Sequence, residues 1–232
     1  MKKTTFYILP VLFLLIISCS KTVKEQALTM KDVFPTQKNT DSTIVFDLDT
    51  VKSFNSLTAV FCKNYDNKKI KYFIKTKKNE VPFSIRSIIA CGHAVCGLIK
   101  FKNVLFIDYY TDSIFFHNRI KYNFNTVDVE KMLKRQFFNK GNDPEFSDTP
   151  YTNLIYLEFL SDLNNFKPSL KNKLDTISKS YYKFIVGFNR ENIDSLKKLY
   201  PLKIKLNQAI PLVDENGYDI KYNPAGPIEI VE

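Results

Sequence analysis

The chain has 232 residues, 44% of them hydrophobic, and a formal net charge of +10. This composition is typical of a folded globular protein and excludes general disorder, and the length suits one domain or two small ones. The positive charge comes from 30 Lys and only four Arg. Because Arg is the residue that binds phosphate in a bidentate fork and no nucleic-acid motif is present, the charge does not indicate a nucleic-acid partner.

The first twenty residues are typical of a secretory signal. Two lysines precede an apolar run from Phe6 to Ile17, which is shorter than the roughly 20 residues that a membrane-spanning helix needs. The next segment, Leu15-Ile16-Ile17-Ser18-Cys19, resembles the lipobox of bacterial lipoproteins. The resemblance implies a signal peptide over residues 1–18 and a diacylglycerol on the Cys19 thiol. The protein is then anchored to a bacterial membrane in the cell envelope and faces the periplasm or the exterior. An ordinary signal peptide with an incidental cysteine is the alternative.

The first half of the mature chain is predicted to begin with a tether and to continue as an α/β segment. Residues 19–42 are polar and show no sustained period, so we expect a flexible tether. Residues 43–103 form the predicted N-terminal α/β part. Its elements are a strand over 43–49, a helix over 51–65, a strand over 69–76, and either a buried helix or two short strands over 82–98.

The residue pattern of the second half of the chain predicts a sheet and two principal helices. The first helix follows Asn125 or Thr126 as its N-cap, and one face carries Val129, Met132, Leu133, Gln136 and Phe137. The second helix opens near Pro168 and ends near Gly187. Further predicted elements are strands over 104–110, 114–122, 153–160 and 202–210, a short helix over 192–199, and a C-terminal hairpin or tail over 212–232. The expected fold class is α+β: a mixed β-sheet with two principal helices packed on one face.

Residues 104–211 resemble the periplasmic domain of the ExbD/TolR family in the order of their elements. The segments that carry the resemblance are Phe106 to Asn118, Thr126 to Leu133, Asn153 to Leu160, Pro168 to Ile185 and Leu199 to Pro211. The resemblance implies a non-catalytic interaction domain, accessory to energy-transducing transport. It would bind energy-transducing envelope proteins, a second copy of itself, or the cell wall.

The chain departs from that family in its anchor. Members of the family carry a transmembrane helix with an Asp that serves proton-driven energy transfer, and an acid within a membrane is functional by default. The only apolar segment of this chain contains no acid. The chain is therefore expected not to conduct protons as the family does. A lipoprotein with another, unknown binding role is a further alternative.

An enzymatic alternative rests on four aspartates. Asp47 and Asp49 resemble motif one of haloacid dehalogenase-type phosphatases, where the first Asp attacks phosphorus and the second handles the proton. Asp108 and Asp112 follow a later strand and could complete an Mg²⁺ site with Thr76 and either Lys100 or Lys102. The glycine that this family has after the second Asp is missing, and an Asp at a strand end is most often a turn residue. The favoured expectation is therefore a protein without catalysis or cofactor, with Mg²⁺ needed only by the phosphatase alternative.

The cysteines leave several alternatives open. Cys91 and Cys96 flank His93, and outside the cytoplasm a close pair can be oxidised to a Cys91–Cys96 disulfide. Free buried thiols are the second possibility. A metal site on Cys91, His93 and Cys96 is the weakest, because a closed zinc site needs a fourth ligand, for which Cys62 is the candidate.

Overall fold

The computed structural model describes residues 28–35, 42–64, 67, 70–75, 83–85, 100–108, 113–116, 120–160, 166–188 and 192–209. The signal segment, Cys19, Cys91, His93, Cys96, Asp112 and residues 212–232 lie outside these ranges. Within them, no helix combines the length and the apolar character that crossing a membrane requires.

The described elements are five α-helices, eight strands and two short 3₁₀ helices. The helices are α1 (Met30–Val33), α2 (Phe54–Lys63), α3 (Thr126–Phe138), α4 (Phe166–Val186) and α5 (Ile193–Leu199). The strands are β1 (Thr43–Asp47), β2 (Lys71–Lys75), β3 (Phe83–Ile85), β4 (Val104–Ile107), β5 (Ser113–Phe116), β6 (Ile120–Asn123), β7 (Leu154–Leu160) and β8 (Ile204–Ala209). Two short 3₁₀ helices, Phe101–Asn103 and Pro150–Thr152, lie directly before β4 and two residues before β7.

The strands form two sheets. In the smaller one β1 pairs parallel with β2, and β2 pairs antiparallel with β3. The larger sheet has the order β6-β5-β4-β7-β8, in which β4, β7 and β8 run parallel while β4, β5 and β6 form an antiparallel meander. β3 passes beside β8, so the two sheets meet there. The α+β class is confirmed, with a mixed sheet and helices packed on it.

The predicted strand over 114–122 is wrong as a single element. It forms two antiparallel strands, β5 and β6, in which Phe116 pairs with Ile120. The sequence has Asn118, a residue type common in turns, in the middle of the segment, but the apolar residues of both described strands give the segment the pattern of one strand.

The two principal helices cover one face of the larger sheet. Leu105, Ile107, Ile155 and Leu157 project from β4 and β7 into a core that they share with α3 and α4. The face predicted for α3 is confirmed, since Val129, Met132, Leu133, Gln136 and Phe137 are all buried. The cap is confirmed too: the Asn125 side chain accepts a hydrogen bond of 2.9 Å from the backbone N–H of Asp128.

The same core extends through the predicted N-terminal α/β part. Phe46 of β1 and Phe61 of α2 stack with their ring centroids 5.0 Å apart, and both belong to the cluster that contains Leu105 and Ile155. Residues 43–103 and 104–211 were expected as separate parts. The described residues of the two parts instead share one hydrophobic core.

The flexible tether predicted for residues 19–42 is wrong for residues 28–35. Val33 and Phe34 are buried, and the Phe34 ring lies 5.9 Å from that of Tyr181 in α4. The Tyr182 hydroxyl donates a hydrogen bond to the carbonyl of Leu28. Lys197 of α5 donates from its Nζ to the carbonyls of Asp32 and Pro35 at 3.4 and 3.3 Å. A one-turn helix carries too few apolar residues to show a period, which is why the sequence pattern misses it.

Candidate functional site

The described part of the chain has two edges to consider as candidate sites, at opposite ends of the parallel strands. The carboxyl edge is where β1, β4 and β7 end, and Asp47, Asp49 and Asp108 lie there. Helix α4 follows β7 and begins at this edge, so its first turns reach the same region. In open α/β sheets ligands bind at the carboxyl ends of the strands, so this edge is the place to test the enzymatic alternative.

Asp47 is built into a turn. Its Oδ1 accepts a hydrogen bond of 2.9 Å from the backbone N–H of Asp49. Its carbonyl oxygen accepts from the N–H groups of Thr50 and Val51 at 3.0 and 3.1 Å. These are the bonds of an aspartate that ends a strand and turns the chain toward α2, as the turn interpretation predicts.

Asp49 faces helix α4. It forms an ion pair with Lys171, and both side chains are largely buried, at 15% and 24% exposure. Oδ1 makes this contact, while Oδ2 is buried and accepts no hydrogen bond. The pair therefore connects the smaller sheet to the helix that covers the larger one.

Asp108 is buried and bonded through its backbone. Its N–H donates to the carbonyl of Ser113 at 3.0 Å, which closes the β4–β5 hairpin. Its own carbonyl accepts from the Nζ of Lys173 at 3.0 Å, and Lys173 is itself only 2% exposed. The Lys173 ammonium also lies 5.2 Å from the centre of the Phe124 ring, a favourable position for a buried cation.

The structure does not bring the whole predicted phosphatase set together. Lys100 and Lys102 precede β4 whereas Asp108 follows it, so these lysines lie at the opposite edge of the sheet and cannot join a site with Asp47 and Asp49. Asp112 and Thr76 lie outside the described residues. Among the residues described, no group of three or more His, Cys, Asp or Glu side chains is placed to hold a metal ion.

Cys62, the proposed fourth metal ligand, is instead disulfide-bonded. Its partner lies outside the described residues, and the chain offers only Cys19, Cys91 and Cys96 for that role. If Cys19 carries a lipid, Cys62 must pair with Cys91 or Cys96. The predicted Cys91–Cys96 bond and a lipid on Cys19 then exclude each other.

The amino edge, where β4, β7 and β8 begin, was not identified from the sequence. Phe101, Tyr151 and Phe138 lie there with 74%, 54% and 42% of their surface exposed, unusually high for such large apolar residues. Phe101 and Tyr151 each stand three residues before a strand, and those strands pair at Val104 and Leu154. Phe138 ends α3, whose Gln136 donates to the carbonyl of Lys102 at 3.3 Å. We call Phe101, Phe138 and Tyr151 the amino-edge aromatics.

Charged side chains surround the amino-edge aromatics. Asp148 pairs with Lys102, and it lies 3.7 Å from the Nζ of Lys100. The hydrogen bond from Lys102 holds the pKa of Asp148 below its usual value. Lys203 donates to the carbonyl of Tyr151. The edge thus combines aromatic surface with lysines and one aspartate that is already paired.

Comparison with protein-family models, curated proteins and solved structures found no match.

Proposed function

We propose that the protein is a lipid-anchored protein of the bacterial cell envelope whose folded part is a non-catalytic interaction domain resembling that of ExbD/TolR. The order of elements from residue 104 to residue 209 carries this proposal. It runs strand, strand, strand, helix, strand, long helix, short helix, strand, which differs from the expected order only by the split of one strand. The packing of both principal helices on one face is consistent with it.

The described aspartates of the rival phosphatase support the same proposal through what they contact. Asp47 turns the chain, Asp49 neutralises Lys171, and the backbone of Asp108 closes a hairpin. Each of these contacts stabilises the scaffold. A nucleophilic carboxylate, by contrast, must remain open to its substrate.

The first test concerns the anchor. Expression of the full chain in a bacterium with labelled palmitate is expected to give a labelled protein whose N-terminal peptide begins at Cys19. The matched control is Cys19→Ser, which should lose the label and retain the signal peptide. A wild-type chain cut elsewhere, with an unmodified Cys19, would refute the lipid anchor.

The second test concerns the partner. The lipidated wild type and the Cys19→Ser control are cross-linked in native membranes, purified, and analysed for what co-purifies. Energy-transducing membrane proteins, cell-wall fragments or a second copy of the chain are the expected partners, enriched with the wild type alone. Equal recovery with both forms, or recovery of neither, would contradict the interaction role.

The phosphatase alternative has a separate assay. Its specific support is that Asp47, Asp49 and Asp108 follow β1 and β4 at the same edge of the sheets. We expect no Mg²⁺-dependent release of phosphate from phosphate monoesters by the purified chain. Hydrolysis by the wild type that is abolished by Asp47→Asn, with the fold retained, would establish the enzyme in place of the interaction domain.

A further inference from the structure

We infer that the amino edge of the sheet docks on the surface of an anionic lipid bilayer, with Phe101 and Tyr151 inserted at the interface. This inference rests on the proposed lipid anchor and adds an orientation to it. The carboxyl edge would then face away from the membrane, toward partners in the envelope.

The first argument is the position of the chain relative to its anchor. Helix α4 begins at the carboxyl edge and ends at the amino edge, and the Tyr182 that holds Leu28 lies in its last two turns. Residue 28 therefore enters the fold in the amino-edge half. Only eight residues, 20–27, lie between it and Cys19, and the nine steps from Cys19 to Leu28 span at most about 30 Å when fully extended.

Because residues 28–35 are packed, the segment between lipid and domain is limited to those eight residues. A tether reaching to residue 42, as the sequence predicts, would allow any orientation. The shorter tether, which ends at residue 28, favours the orientation in which the edge nearest residue 28 faces the bilayer. That edge carries the most exposed large apolar side chain among the described residues, Phe101.

The second argument is the chemistry of the edge. Aromatic rings are favoured at the level of lipid headgroups, where one end is apolar and the other is wet. Lys100 is 69% exposed on its side chain, and Lys140, after α3, is exposed as well. Lysine side chains can lay their apolar stems on the interface and keep the ammonium at the lipid phosphates.

Acidic residues at the same edge reduce the charge without reversing it. Asp148 is paired with Lys102, and Oδ1 of Asp143 accepts a hydrogen bond of 2.9 Å from the backbone N–H of Glu145 within the loop that follows α3. The whole chain carries a net charge of +10, and removal of residues 1–18 with Lys2 and Lys3 leaves +8, so the long-range attraction to an anionic surface has the right sign.

The test uses a single fluorescent reporter, since the chain contains no tryptophan. Phe101→Trp and, as the matched control, Val127→Trp are made in the full lipidated chain and reconstituted in protein-free phosphatidylglycerol vesicles with brominated acyl chains. Val127 is 69% exposed and lies in the first turn of α3, at the carboxyl edge. The seven residues of β7 separate the edges by roughly 20 Å. We expect quenching of F101W and none of V127W, and Y151W serves as a second reporter at the amino edge.

A charge series tests the lipid specificity. Lys100→Glu with Lys140→Glu should reduce the quenching of F101W to the level of V127W. The control pair, Lys52→Glu with Lys75→Glu, changes exposed lysines at the carboxyl end of the smaller sheet and should leave the quenching unchanged. If Lys100→Glu with Lys140→Glu leaves the quenching of F101W unchanged, the role of anionic lipid is overturned.

The other outcomes are equally decisive. Mass spectrometry of the reconstituted chain verifies the lipid on Cys19 in every sample. Equal quenching of F101W and V127W in a lipidated chain overturns the docking and leaves the anchor intact, whereas a chain without lipid overturns both. Protection of F101W in native envelope membranes, without quenching in protein-free vesicles, would show a protein partner at this edge and overturn the lipid inference.

Discussion

At the residue scale, Asp148 is the most informative carboxylate at the amino edge. The hydrogen bond from Lys102, with the added charge of Lys100, lowers its pKa in the folded state. A lowered folded-state pKa means that the contribution to stability is present above the unfolded pKa of about 4 and is lost as pH falls through the folded value.

We therefore expect Asp148→Asn to lower the Tm at pH 7 and to have a smaller effect at about pH 3, below the unfolded pKa of about 4, because the stabilising contribution of the carboxylate is lost as pH falls. The effect at pH 7 should be small, because exposed ion pairs contribute little. Thermal unfolding followed by circular dichroism at the two pH values measures it. A difference that persists unchanged at the acid pH would show that the carboxylate charge is not responsible.

Tyr181 titrates in the opposite direction. Burial raises its pKa, and its hydroxyl donates a hydrogen bond of 2.7 Å to the carbonyl of Tyr200. A raised folded-state pKa means that its contribution is complete below the unfolded pKa of about 10 and is lost as pH rises toward the folded value.

Tyr181→Phe is expected to cost about 0.5–1.5 kcal/mol in the free energy of unfolding at pH 7, from the lost hydrogen bond. The cost should shrink at about pH 11, because an unfolded wild-type chain then gains by ionising its tyrosine. Urea titrations at both pH values test this, with Tyr151→Phe as the control, because Tyr151 is 54% exposed. If the cost of Tyr181→Phe in the free energy of unfolding grows with pH, the raised pKa of Tyr181 in the folded state is contradicted.

The burial of two lysines could not be predicted from the sequence. Lys173 and Lys197 are 2% and 5% exposed, although lysine is normally a surface residue. Lys197 forms an ion pair with the nearby Asp194, but both lysines also donate to backbone carbonyls, those of Asp108, Asp32 and Pro35, which lie 65 to 165 positions away along the chain. No local pattern predicts such contacts, because every residue has a carbonyl and only the fold decides which ones meet a lysine.

At the element scale, the agreement between sequence and structure follows the length of each amphipathic pattern. Helix α3 has a cap, acidic residues near its start and five buried positions on one face, and all were predicted. The segment over 114–122 is apolar on both sides of its turn, so its pattern reads as one strand. Helix α1 has four residues, fewer than two helical turns. Packing against α4 and α5 decides its structure, and the pattern does not contain that information.

The packed segment 28–35 makes a sharp prediction for its own stability. Phe34→Ala removes a ring that is 3% exposed and should cost about 3–5 kcal/mol in the free energy of unfolding. Lys31→Ala is the control on the same helix, since Lys31 is exposed, and it should remain within about 0.5 kcal/mol of the wild type. Denaturant unfolding compares the two variants. Equal free energies of unfolding for the two variants would show that residues 28–35 belong to a flexible tether after all.

At the scale of the whole molecule, the single core binds the two sheets into one folding unit. The order of elements and the fold class were accessible to sequence reasoning because each depends on local patterns taken in sequence. The amino-edge aromatics were not, because Phe101 and Tyr151 become neighbours only when β4 pairs with β7, whose first residues are 50 positions apart. A parallel pairing of that kind leaves no local sequence signal.

The disulfide of Cys62 adds a covalent constraint to this unit. We expect Cys62→Ala to cost about 2–4 kcal/mol in the free energy of unfolding under oxidising conditions, because the cross-link restricts the unfolded chain. Under reducing conditions wild type and variant should converge. Peptide mapping without reductant is expected to link Cys62 to Cys91 or Cys96 in the lipidated protein. A Cys91–Cys96 peptide from that protein would contradict this connectivity.

The packing of residues 28–35 also has a mechanical consequence. A protein held by a diacylglycerol on Cys19, as we propose, feels any drag on its folded part as tension along the residues that follow Cys19. That tension arrives first at the contacts of Leu28 with Tyr182 and of Asp32 and Pro35 with Lys197, where the chain lies across two helices. A moderate force would therefore detach residues 28–35 from α4 and α5 and lengthen the segment between Cys19 and the folded part while the sheets remain folded. The packed segment gives way before the rest of the domain unfolds.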